Sequence, residues 1–457
     1  MSVKKVYMET FGCQMNVSDS ERVATLLETK GFQMTTSEVG ADVVLLNTCS
    51  VREKAEHKLY TRIGQIRKSS ADNFNNSPNS KKPVIGILGC VAQLEGETLF
   101  KRDQGIDFVL GTRAVGRVSE AIEKFFDGQK NLVDLGEREL GYDWTVADSQ
   151  RQFPFVAFVP IIEGCNKFCT YCIVPFSRGR EKSLAASDII RNVLKLRHEG
   201  IREVHLIGQN VNSYRPQFDS GLEKFTGATA FSRLLRAVAA TGIERIKFTT
   251  SFPRDFHTDI VSAIDEYENL CNWVHLPVQS GSNTILRAMR RGHTIESYMS
   301  RVDKIKASPR NISLTTDIIV GFPNETEQDF VETLKMVEYC QFTSAYIFKY
   351  SPRQGTPAFE MSDNVSAKEK SVRFLELEKA VKNNQQKVFQ NYLNKTVKVL
   401  VEKISNKNMA QISGHTTCQT VVNFEGSSEL LGKIVNVEIL EAKANTLYGK
   451  ICLSRYS

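Results

Sequence analysis

Two long stretches of the sequence alternate short apolar runs with amphipathic segments, and this alternation limits the possible folds more than any other feature. The first stretch covers about the first 130 residues and contains four such units. The second runs from about 150 to 352, and its six strand-like runs are FVPIIEGC, EVHLIGQN, RIKFTTSFP, WVHLPVQS, SLTTDIIVGFP and SAYIFKYSP. Because strands that alternate with helices pair in parallel under helical cover, both stretches are predicted to be α/β domains.

The number of units predicts the architecture of the second stretch. Six units suggest a partial (β/α)6 barrel, although the pattern does not exclude an open doubly wound sheet. A long polar helix follows, and after about residue 393 four short alternating runs predict a small antiparallel β-barrel: TVKVLVEKI, CQTVVNFE, KIVNVEIL and TLYGKICLS. The predicted domains are therefore a parallel α/β domain at 1–145, the partial barrel with its long helix at 150–390, and the small β-barrel at 393–457.

Local signals predict where some helices begin and where one loop lies. Ser18 and Glu21 can form a capping box at the start of the first helix, and Ser50 and Glu53 can do the same for the second. The stretch 69–82 is polar and rich in serine, asparagine and proline. We therefore expect it to be a mobile loop.

The charge balance permits a phosphate-rich partner without requiring one. The chain has 59 lysine and arginine residues against 52 aspartate and glutamate residues, a net charge of +7. The last segment, 393–457, has eight basic residues against five acidic ones. A small basic barrel of this kind either binds RNA or only stabilises the end of the chain, and composition leaves both open.

The N-terminus and the cysteine usage predict an intracellular protein. No apolar stretch approaches the roughly 20 residues that span a bilayer, and MSVKKVYMETFGC is predicted to be a first strand rather than a signal peptide. We therefore expect a cytoplasmic location and no membrane partner. Ten cysteines in such a chain favour metal or redox chemistry over disulfides. Four lie in apolar contexts and are expected in the core: Cys271, Cys340, Cys418 and Cys452.

Three cysteines, here called the loop triad, follow the first strand of the central region with the spacing CxxxCxxC: Cys165, Cys169 and Cys172. Iron–sulfur clusters are held by thiolates, usually four. Since no fourth cysteine lies nearby, a cubane bound here would keep one iron open to a substrate or cofactor. The alternative is structural zinc, which takes four closed ligands, but the nearest histidine, His198, lies beyond the following helix. The loop triad therefore favours a cluster.

Three further cysteines, here called the N-terminal triad, each end a strand-like run directly before a helical segment: Cys13, Cys49 and Cys90. The ends of parallel strands lie along one edge of a sheet, so the three thiols can converge on a metal. Gly12 and Gly89 precede two of them and allow close approach of a bulky group, and helix N-termini favour an anionic one. The alternative is three unrelated buried cysteines.

Together, the CxxxCxxC run, the N-terminal triad and the terminal β-barrel resemble the radical S-adenosylmethionine methylthiotransferases over essentially the whole chain. That resemblance implies a methylthiotransferase domain, a radical-SAM barrel and a C-terminal TRAM-like domain. FGCQMNVSDSE, NTCSVREKAE, LIGQNVNSY, HLPVQSGS and YSPRQGTPA are similar to the branch that converts N6-isopentenyladenosine, next to the anticodon of tRNA, into its 2-methylthio derivative.

The resemblance also implies two 4Fe–4S clusters and two molecules of S-adenosylmethionine. The loop triad would be catalytic and would hold the cluster that cleaves the cofactor reductively, giving a radical that takes hydrogen from carbon 2 of the adenine. The N-terminal triad would hold an auxiliary cluster that carries the sulfur. The implied partners are tRNA carrying isopentenyladenosine and an unidentified electron donor, and a monomer is expected.

Five polar residues are further candidates for binding S-adenosylmethionine. Gln209, Ser251 and Gln279 end the second, third and fourth strands of the central region. Arg291 is suited to pair with the cofactor's carboxylate through two hydrogen bonds, and Asp317 is suited to accept from a hydroxyl or ammonium group. The alternative for each is an ordinary polar residue at a barrel mouth.

Two positions depart from the family's pattern. Phe252 stands where relatives more often have histidine, and Asn324 stands where glycine is usual.

Several other functions compete with methylthiolation of isopentenyladenosine. Other members of the family modify threonylcarbamoyladenosine in tRNA or an aspartate of a ribosomal protein, and FGCQMN and NTCSVREKA favour the isopentenyladenosine branch over both. Outside the family, the alternatives are a metal-stabilised RNA-binding protein and an electron-transfer protein.

Overall fold

A computed structural model describes residues 3–50, 53–76, 82–136, 146–218, 221–405, 408 and 410–452, with the backbone alone for 53–57 and 70–76. The chain divides into two compact units. The first unit comprises 1–152, 163–166 and 172–181, and the second comprises 153–162, 167–171 and 182–457.

The first unit contains an entirely parallel sheet. Its described elements are β1 (Lys5–Phe11), α1 (Gln14–Thr29), β2 (Gln33–Thr35), β3 (Val43–Thr48), α2 (Glu53–Asn76), β4 (Val84–Gly89), α3 (Cys90–Glu95), α4 (Thr98–Arg102), β5 (Phe108–Gly111), α5 (Val118–Phe126) and β6 (Leu132–Asp134). The strand order is β2-β1-β3-β4-β5-β6. Along β3, Val43 and Leu45 join the core on one face, while Val44 and Leu46 join the core on the other. A strand buried on both faces is typical of a helix-covered parallel sheet, so the predicted N-terminal α/β domain is confirmed.

Two local predictions for the first unit are wrong. Helix α1 begins at Gln14 with Cys13 as its N-cap, so Ser18 and Glu21 lie inside the helix and form no capping box at its start. Helix α2 continues to Asn76, through half of the predicted loop at 69–82. No glycine or proline interrupts the chain between 65 and 76, so a helix nucleated upstream extends one residue at a time. The Glu53 side chain of the predicted box at Ser50 and Glu53, and residues 77–81 of the predicted loop, lie outside the described residues.

Six parallel strands in the second unit confirm the partial barrel. The elements in chain order are β7 (Val156–Pro160), β8 (Ile162–Glu163), α6 (Val174–Arg178, in the first unit), β9 (Lys182–Ser183), α7 (Ala186–His198), β10 (Glu203–Ile207), α8 (Ala230–Ala239), β11 (Arg245–Phe248), α9 (Thr258–Glu266), β12 (Trp273–His275), α10 (Asn283–Ala288), α11 (Ile295–Lys306), β13 (Ser313–Val320), α12 (Glu327–Cys340), β14 (Ser344–Lys349) and α13 (Ala367–Gln390). Strands β7, β10 and β11 pair side by side, as do β12, β13 and β14. A bridge between Ile246 and Leu270 joins the two sets. Each long strand therefore neighbours the next in sequence, without the reversal of order that defines a doubly wound sheet.

The C-terminal segment is a closed five-stranded barrel, as predicted, with one strand more than the sequence pattern indicated. Its strands are β15 (Thr396–Ile404), β16 (Gln411–Thr416), β17 (Val421–Glu425), β18 (Ile434–Ala442) and β19 (Leu447–Ile451), in the order β15-β16-β17-β19-β18. The β17–β19 pair is parallel and the other pairings along that order are antiparallel. Strand β16 was missed because QISGHT contains a glycine, and a Cβ at Gly414 would stand 2.0 Å from the carbonyl oxygen of Leu400. The glycine permits this close backbone approach.

Within the second unit, the C-terminal barrel is bonded to the amino end of strand β11. The Arg245 guanidinium donates to the carbonyl oxygens of His415 (2.9 Å) and Thr416 (2.8 Å). Lys247 Nζ donates to Gln419 Oε1 at 2.7 Å. Charge-assisted hydrogen bonds of this kind are stronger than neutral ones, so they fix the end of β16 and the loop that follows it on the partial barrel.

No helix in the described ranges combines the length and the apolar character that crossing a membrane requires. The predicted domain bounds and the cytoplasmic location stay predictions.

Candidate functional site

The N-terminal triad lies at three neighbouring strand ends of one sheet. Cys13 follows β1, Cys49 follows β3 directly, and Cys90 follows β4 as the first residue of α3. Because β1, β3 and β4 are adjacent in the sheet, the three cysteines share one edge. The repeated strand–cysteine–helix pattern of the sequence therefore brings the three residues to one place.

The surroundings of Cys13 stabilise a thiolate. The pKa of Cys13 is lowered to about 6, first by a hydrogen bond with the Cys49 side chain and also by the charge of Arg178, against the opposing effect of burial. Backbone hydrogen bonds at Asn16 and Met15 lower the pKa further, whereas the protonated Cys13 Sγ donates to Asn16 Oδ1 at 3.3 Å. A Cβ at Gly12 would stand 2.7 Å from the Cβ of Cys49, so glycine is required beside the thiols. Deprotonated sulfur is the form that binds metal.

The loop triad is partly buried, in a segment with unusual backbone geometry. Cys165 and Cys169 are buried and Cys172 is half-buried. The Cys165 amide donates to the carbonyl oxygen of Gly179 at 3.1 Å. Phe168 adopts φ = 47°, a region that aromatic residues rarely occupy. Its ring is nevertheless 48% exposed, so the loop holds a disfavoured conformation without burying its aromatic residue.

In the parts of the chain described above, no three cysteine, histidine or acidic side chains form a ready metal-binding group. Both triads therefore stay predicted cluster ligands.

Ser251, one of the five predicted cofactor residues, has a buried side-chain hydroxyl that is left unsatisfied. Its residue is 2% exposed, and Oγ is buried with no hydrogen-bond partner among the described residues. A buried hydroxyl of this kind normally has a partner. The residue follows β11 by three positions, at the carboxyl end of the barrel. Ser251 is therefore placed to bind a polar ligand.

Arg291 is bonded to the protein through two of its guanidinium nitrogens. Arg291 Nη1 donates to Cys169 Sγ at 3.4 Å, and Nη2 donates to the carbonyl oxygen of Pro277 at 2.6 Å. The structure therefore brings Arg291 to the loop triad, as a residue that holds one of its cysteines. Its predicted pairing with a cofactor carboxylate stays a prediction.

Of the remaining three candidates, Gln209 and Gln279 follow strand ends, and Asp317 lies inside a strand. Gln209 follows β10 by two residues. The Gln279 amide donates to the carbonyl oxygen of Asp317 at 2.9 Å, and Gln279 has φ = 79°. Asp317 lies within β13 rather than at its end, and its carboxylate stands 3.5 Å from His275 Nε2. The structure therefore joins Gln279 and Asp317 through their backbones only.

Both departures from the family's pattern have a local explanation. The Phe252 ring lies 4.4 Å from the guanidinium carbon of Arg291 and 5.4 Å from Lys167 Nζ. The aromatic face therefore stabilises two cations beside the loop triad. Asn324 has φ = 65° and its amide donates to Asn364 Oδ1 at 2.8 Å. Asparagine is one of the few residues that tolerates this glycine-like conformation.

Sequence reasoning missed two polar residues next to the triads. Lys167 Nζ forms an ion pair with Asp255 at 2.5 Å, inside the CNKFC run. Arg178 lies six residues after Cys172 and is buried against Asp19 at 2.6 Å. The only signal for either was a basic residue close to the cysteines, and neither acidic partner is near in sequence.

Three family models match the chain in consecutive regions. They are the uncharacterized protein family UPF0004 at residues 5–111, the Radical SAM superfamily at 159–337 and the TRAM domain at 390–452. The matched regions correspond to the parallel sheet, the partial barrel and the closed β-barrel.

The chain is also similar to curated proteins over nearly all of its length. A tRNA-2-methylthio-N(6)-dimethylallyladenosine synthase of Yersinia pseudotuberculosis serotype O:3 is 41% identical, and the match covers 98% of this chain and 92% of that protein. A protein of the same name from Photorhabdus laumondii is 39% identical with the same coverage. Among solved structures, the radical S-adenosylmethionine methyltransferase TsrM from Kitasatospora setae matches with a TM-score of 0.55 at 13% identity, covering 78% of this chain and 77% of that one. The structural match supports the fold.

Proposed function

The chain belongs to the tRNA-2-methylthio-N(6)-dimethylallyladenosine synthase family, and we propose that it adds a methylthio group to carbon 2 of N6-isopentenyladenosine in tRNA. The structural observation that carries the proposal is the N-terminal triad, which ends three adjacent strands outside the radical-SAM region. A protein that only cleaves S-adenosylmethionine has no need of a second set of thiols. The relatives' names favour isopentenyladenosine over threonylcarbamoyladenosine or a ribosomal aspartate as the acceptor.

A radical-SAM protein uses S-adenosylmethionine and a 4Fe–4S cluster, and we propose that this chain holds two such clusters, one on each triad. Thiolates are the donors that such clusters take. The residues fit this assignment because the N-terminal triad includes a thiol with a lowered pKa. They also fit S-adenosylmethionine, since Ser251 offers a buried hydroxyl that lacks a partner among the described residues.

The cofactors supply the reactivity when bound, and the protein supplies position and exclusion of water. Arg291 fixes Cys169 through its Nη1 and is itself fixed by Pro277. Burial of Cys165 and Cys169 keeps bulk water from these two thiols of the loop triad. The Phe252 ring stacks on the Arg291 guanidinium, whose carbon lies 4.4 Å from the ring centroid, and so limits its movement. These contacts fix the conformation of the loop that carries the loop triad before any cofactor binds.

The proposed substrate imposes two requirements on the RNA. The target adenine must leave its stack so that carbon 2 is reachable, as other base-modifying enzymes require. The five carbons of the isopentenyl group add apolar surface, and burying them contributes up to ~0.8 kcal/mol per carbon before any ordering cost. tRNA that lacks the isopentenyl group is therefore expected to be a poor substrate.

Nucleoside mass spectrometry provides the direct test of the substrate. tRNA from a strain without the protein should contain isopentenyladenosine and no 2-methylthio derivative. With reconstituted protein, isopentenylated tRNA should yield the product, and the same transcript without the group should yield at least about tenfold less. Equal turnover of the two transcripts would assign the protein to another branch of the family.

We propose that tRNA contacts the outer face of the C-terminal barrel through two exposed lysines. Lys398 is opposite Asn436 on β18, and Lys450 is opposite Glu438. Positions 436 and 438 are two residues apart and so share a face of the strand. Both lysines are exposed, so that face carries two positive charges on the two sides of β18, with the exposed Glu438 between them.

Charge reversal at these lysines should weaken tRNA binding in a way that depends on salt. Lys398→Glu with Lys450→Glu should lower affinity and reduce the slope of log K against log salt by roughly 0.7 to 0.9 for each phosphate that is no longer neutralised. Filter binding across a salt series measures both quantities. Lys368→Glu with Lys382→Glu, two exposed lysines of α13, is the control with the same change in charge. An unchanged slope in the first double variant would contradict the assignment of this face.

An electron donor, a monomeric state and a cytoplasmic location stay predictions of the sequence.

A further inference from the structure

Arg178 ends the short helix that follows the loop triad, and it lies in the same compact unit as the N-terminal triad. This helix, α6, packs against α3, the helix that begins at Cys90. The segment is fixed on both sides of the arginine. Thr112 Oγ1 donates to the carbonyl oxygen of Ser177 at 2.7 Å, and the carbonyl oxygen of Gly179 accepts from Cys165. Arg178 is therefore held in place by its backbone neighbours.

The guanidinium of Arg178 is buried and only partly satisfied. Its side chain is 5% exposed, and Nη1 bonds to Asp19 Oδ2 at 2.6 Å, where the Asp19 side chain is 2% exposed. Nη2 is also buried, and it has no hydrogen-bond partner among the described residues. A buried donor that is left unpaired destabilises a protein by the full cost of its desolvation, and the cost is higher for a charged group. A cation in this situation requires a second acceptor.

The neighbouring groups indicate what that acceptor is. The pKa of Arg178 is held well above its ordinary value: burial would lower it, and the charges of four groups raise it, namely Asp19, Cys90, Cys13 and Glu163. Two of these four groups are members of the N-terminal triad. Asp19 lies on α1, whose N-cap is Cys13. The unsatisfied donor therefore belongs to a cation that lies close enough to two members of the N-terminal triad to interact with them electrostatically.

We propose that Arg178 is a positioning residue for the sulfur centre of the N-terminal triad, with Nη1 fixed by Asp19 and Nη2 donating to an anionic sulfur of that centre. This inference rests on the proposed function, which places a cluster there. It explains why a buried ion pair is retained in the protein: Asp19 orients the guanidinium, and the centre completes its hydrogen bonds. It also gives α6, the helix after the loop triad, a role at the N-terminal triad.

A hydrogen-bonded cation stabilises the more negative, reduced form of a cluster, and so raises its reduction potential. Arg178→Gln removes the charge and should lower the potential of the auxiliary cluster. We expect the equilibrium constant for one-electron reduction to fall about tenfold, which is about 59 mV. Arg178→Lys keeps the charge, but one ammonium group cannot reproduce the two-sided fork of the guanidinium. The reduction potential of the auxiliary cluster in Arg178→Lys should therefore lie between those of the parent protein and Arg178→Gln.

The measurement uses full-length chain in which the loop triad is replaced by alanine, so that any bound cluster reports on the N-terminal triad alone. Dithionite titration followed by electron paramagnetic resonance gives the potential, and iron analysis gives the cluster content. Arg180→Gln is the matched control, because Arg180 is two residues away and exposed. The control should have the potential of the parent protein.

Each outcome decides the proposal. If Arg178→Gln retains its iron and its potential equals that of the parent, or if Arg180→Gln shifts as much, the inference is wrong. If Arg178→Gln does not fold, Arg178→Lys decides, since a potential equal to the parent's would exclude the hydrogen bond. If the parent with alanine in the loop triad binds no iron, the cluster assignment in the proposed function is refuted, and the inference with it.

Discussion

Replacing Cys165, Cys169 and Cys172 together with alanine is expected to reduce 5′-deoxyadenosine formation to background and to remove about half of the iron. Two 4Fe–4S clusters would bring about eight irons per reconstituted chain, of which about four should remain. The reason is that three thiolates are the smallest anchor for the cluster, and Arg291 has no sulfur to hold once Cys169 is gone. Iron analysis and chromatography of the cleaved cofactor measure the two quantities.

The matched control replaces three other buried cysteines, Cys271, Cys340 and Cys418, with alanine, whereas Cys452, also expected in the core, is only half-buried. The control should keep both its iron and its cofactor cleavage, because these residues are packed in the core. Burial raises the pKa of Cys271 to about 11, against the lowering effect of Arg245, so this thiol stays protonated at neutral pH and is a poor metal ligand. Continued reductive cleavage in the loop-triad variant would show that the assignment is wrong.

Replacing Cys13, Cys49 and Cys90 with alanine should separate the two halves of the reaction. About four irons should be lost, reductive cleavage of S-adenosylmethionine should continue, and methylthiolated tRNA should disappear. The expectation follows from the sheet, whose strands β1, β3 and β4 carry these residues, while Ser251 and Arg291 lie in the second unit. Nucleoside mass spectrometry and 5′-deoxyadenosine analysis of the same samples measure both activities.

A folding defect has to be distinguished from loss of a cluster in this variant. Cys49 and Cys90 are buried, so substitution there also removes packing. Serine keeps the volume closer to that of cysteine and serves as the second variant, with thermal unfolding followed by circular dichroism. A folded variant that keeps its full iron content would refute the second cluster, and one that keeps methylthiolation would refute its role.

The sequence predicted the strand-end position of the cysteines because the relevant signals are local. Cys49 and Cys90 each end a buried apolar run, and such runs are strands in an alternating α/β pattern. The start of α1 was not predicted, because Cys13 caps the helix without a side-chain hydrogen bond. Capping rules describe serine, threonine, aspartate and asparagine, so they pointed to Ser18 instead.

The environment of the site depends on contacts between distant parts of the chain, which no local pattern encodes. Arg178 and Asp19 are 159 positions apart, and each alone is an ordinary surface-type residue. Phe252 was recognised only as a departure from the family's pattern, whereas its position between Arg291 and Lys167 depends on the packing of three segments. Ligand types are therefore predictable from sequence here, while the groups that tune them are not.

The bonds between Arg245 and the C-terminal barrel bear on how such enzymes evolve and how they can be recombined. Arg245 donates to the main-chain carbonyls of His415 and Thr416. Its Nε also forms an ion pair with Oε2 of the buried Glu203, at 2.7 Å. Carbonyl acceptors constrain the backbone at the end of β16 and not its side chains, so the sequence there can change while the backbone path is kept. A chimaera joined between α13 and β15 would separate Arg245 from these acceptors and leave a buried cation short of partners. Exchange of C-terminal barrels among these proteins should therefore succeed only where the donor barrel reproduces the backbone at the end of β16.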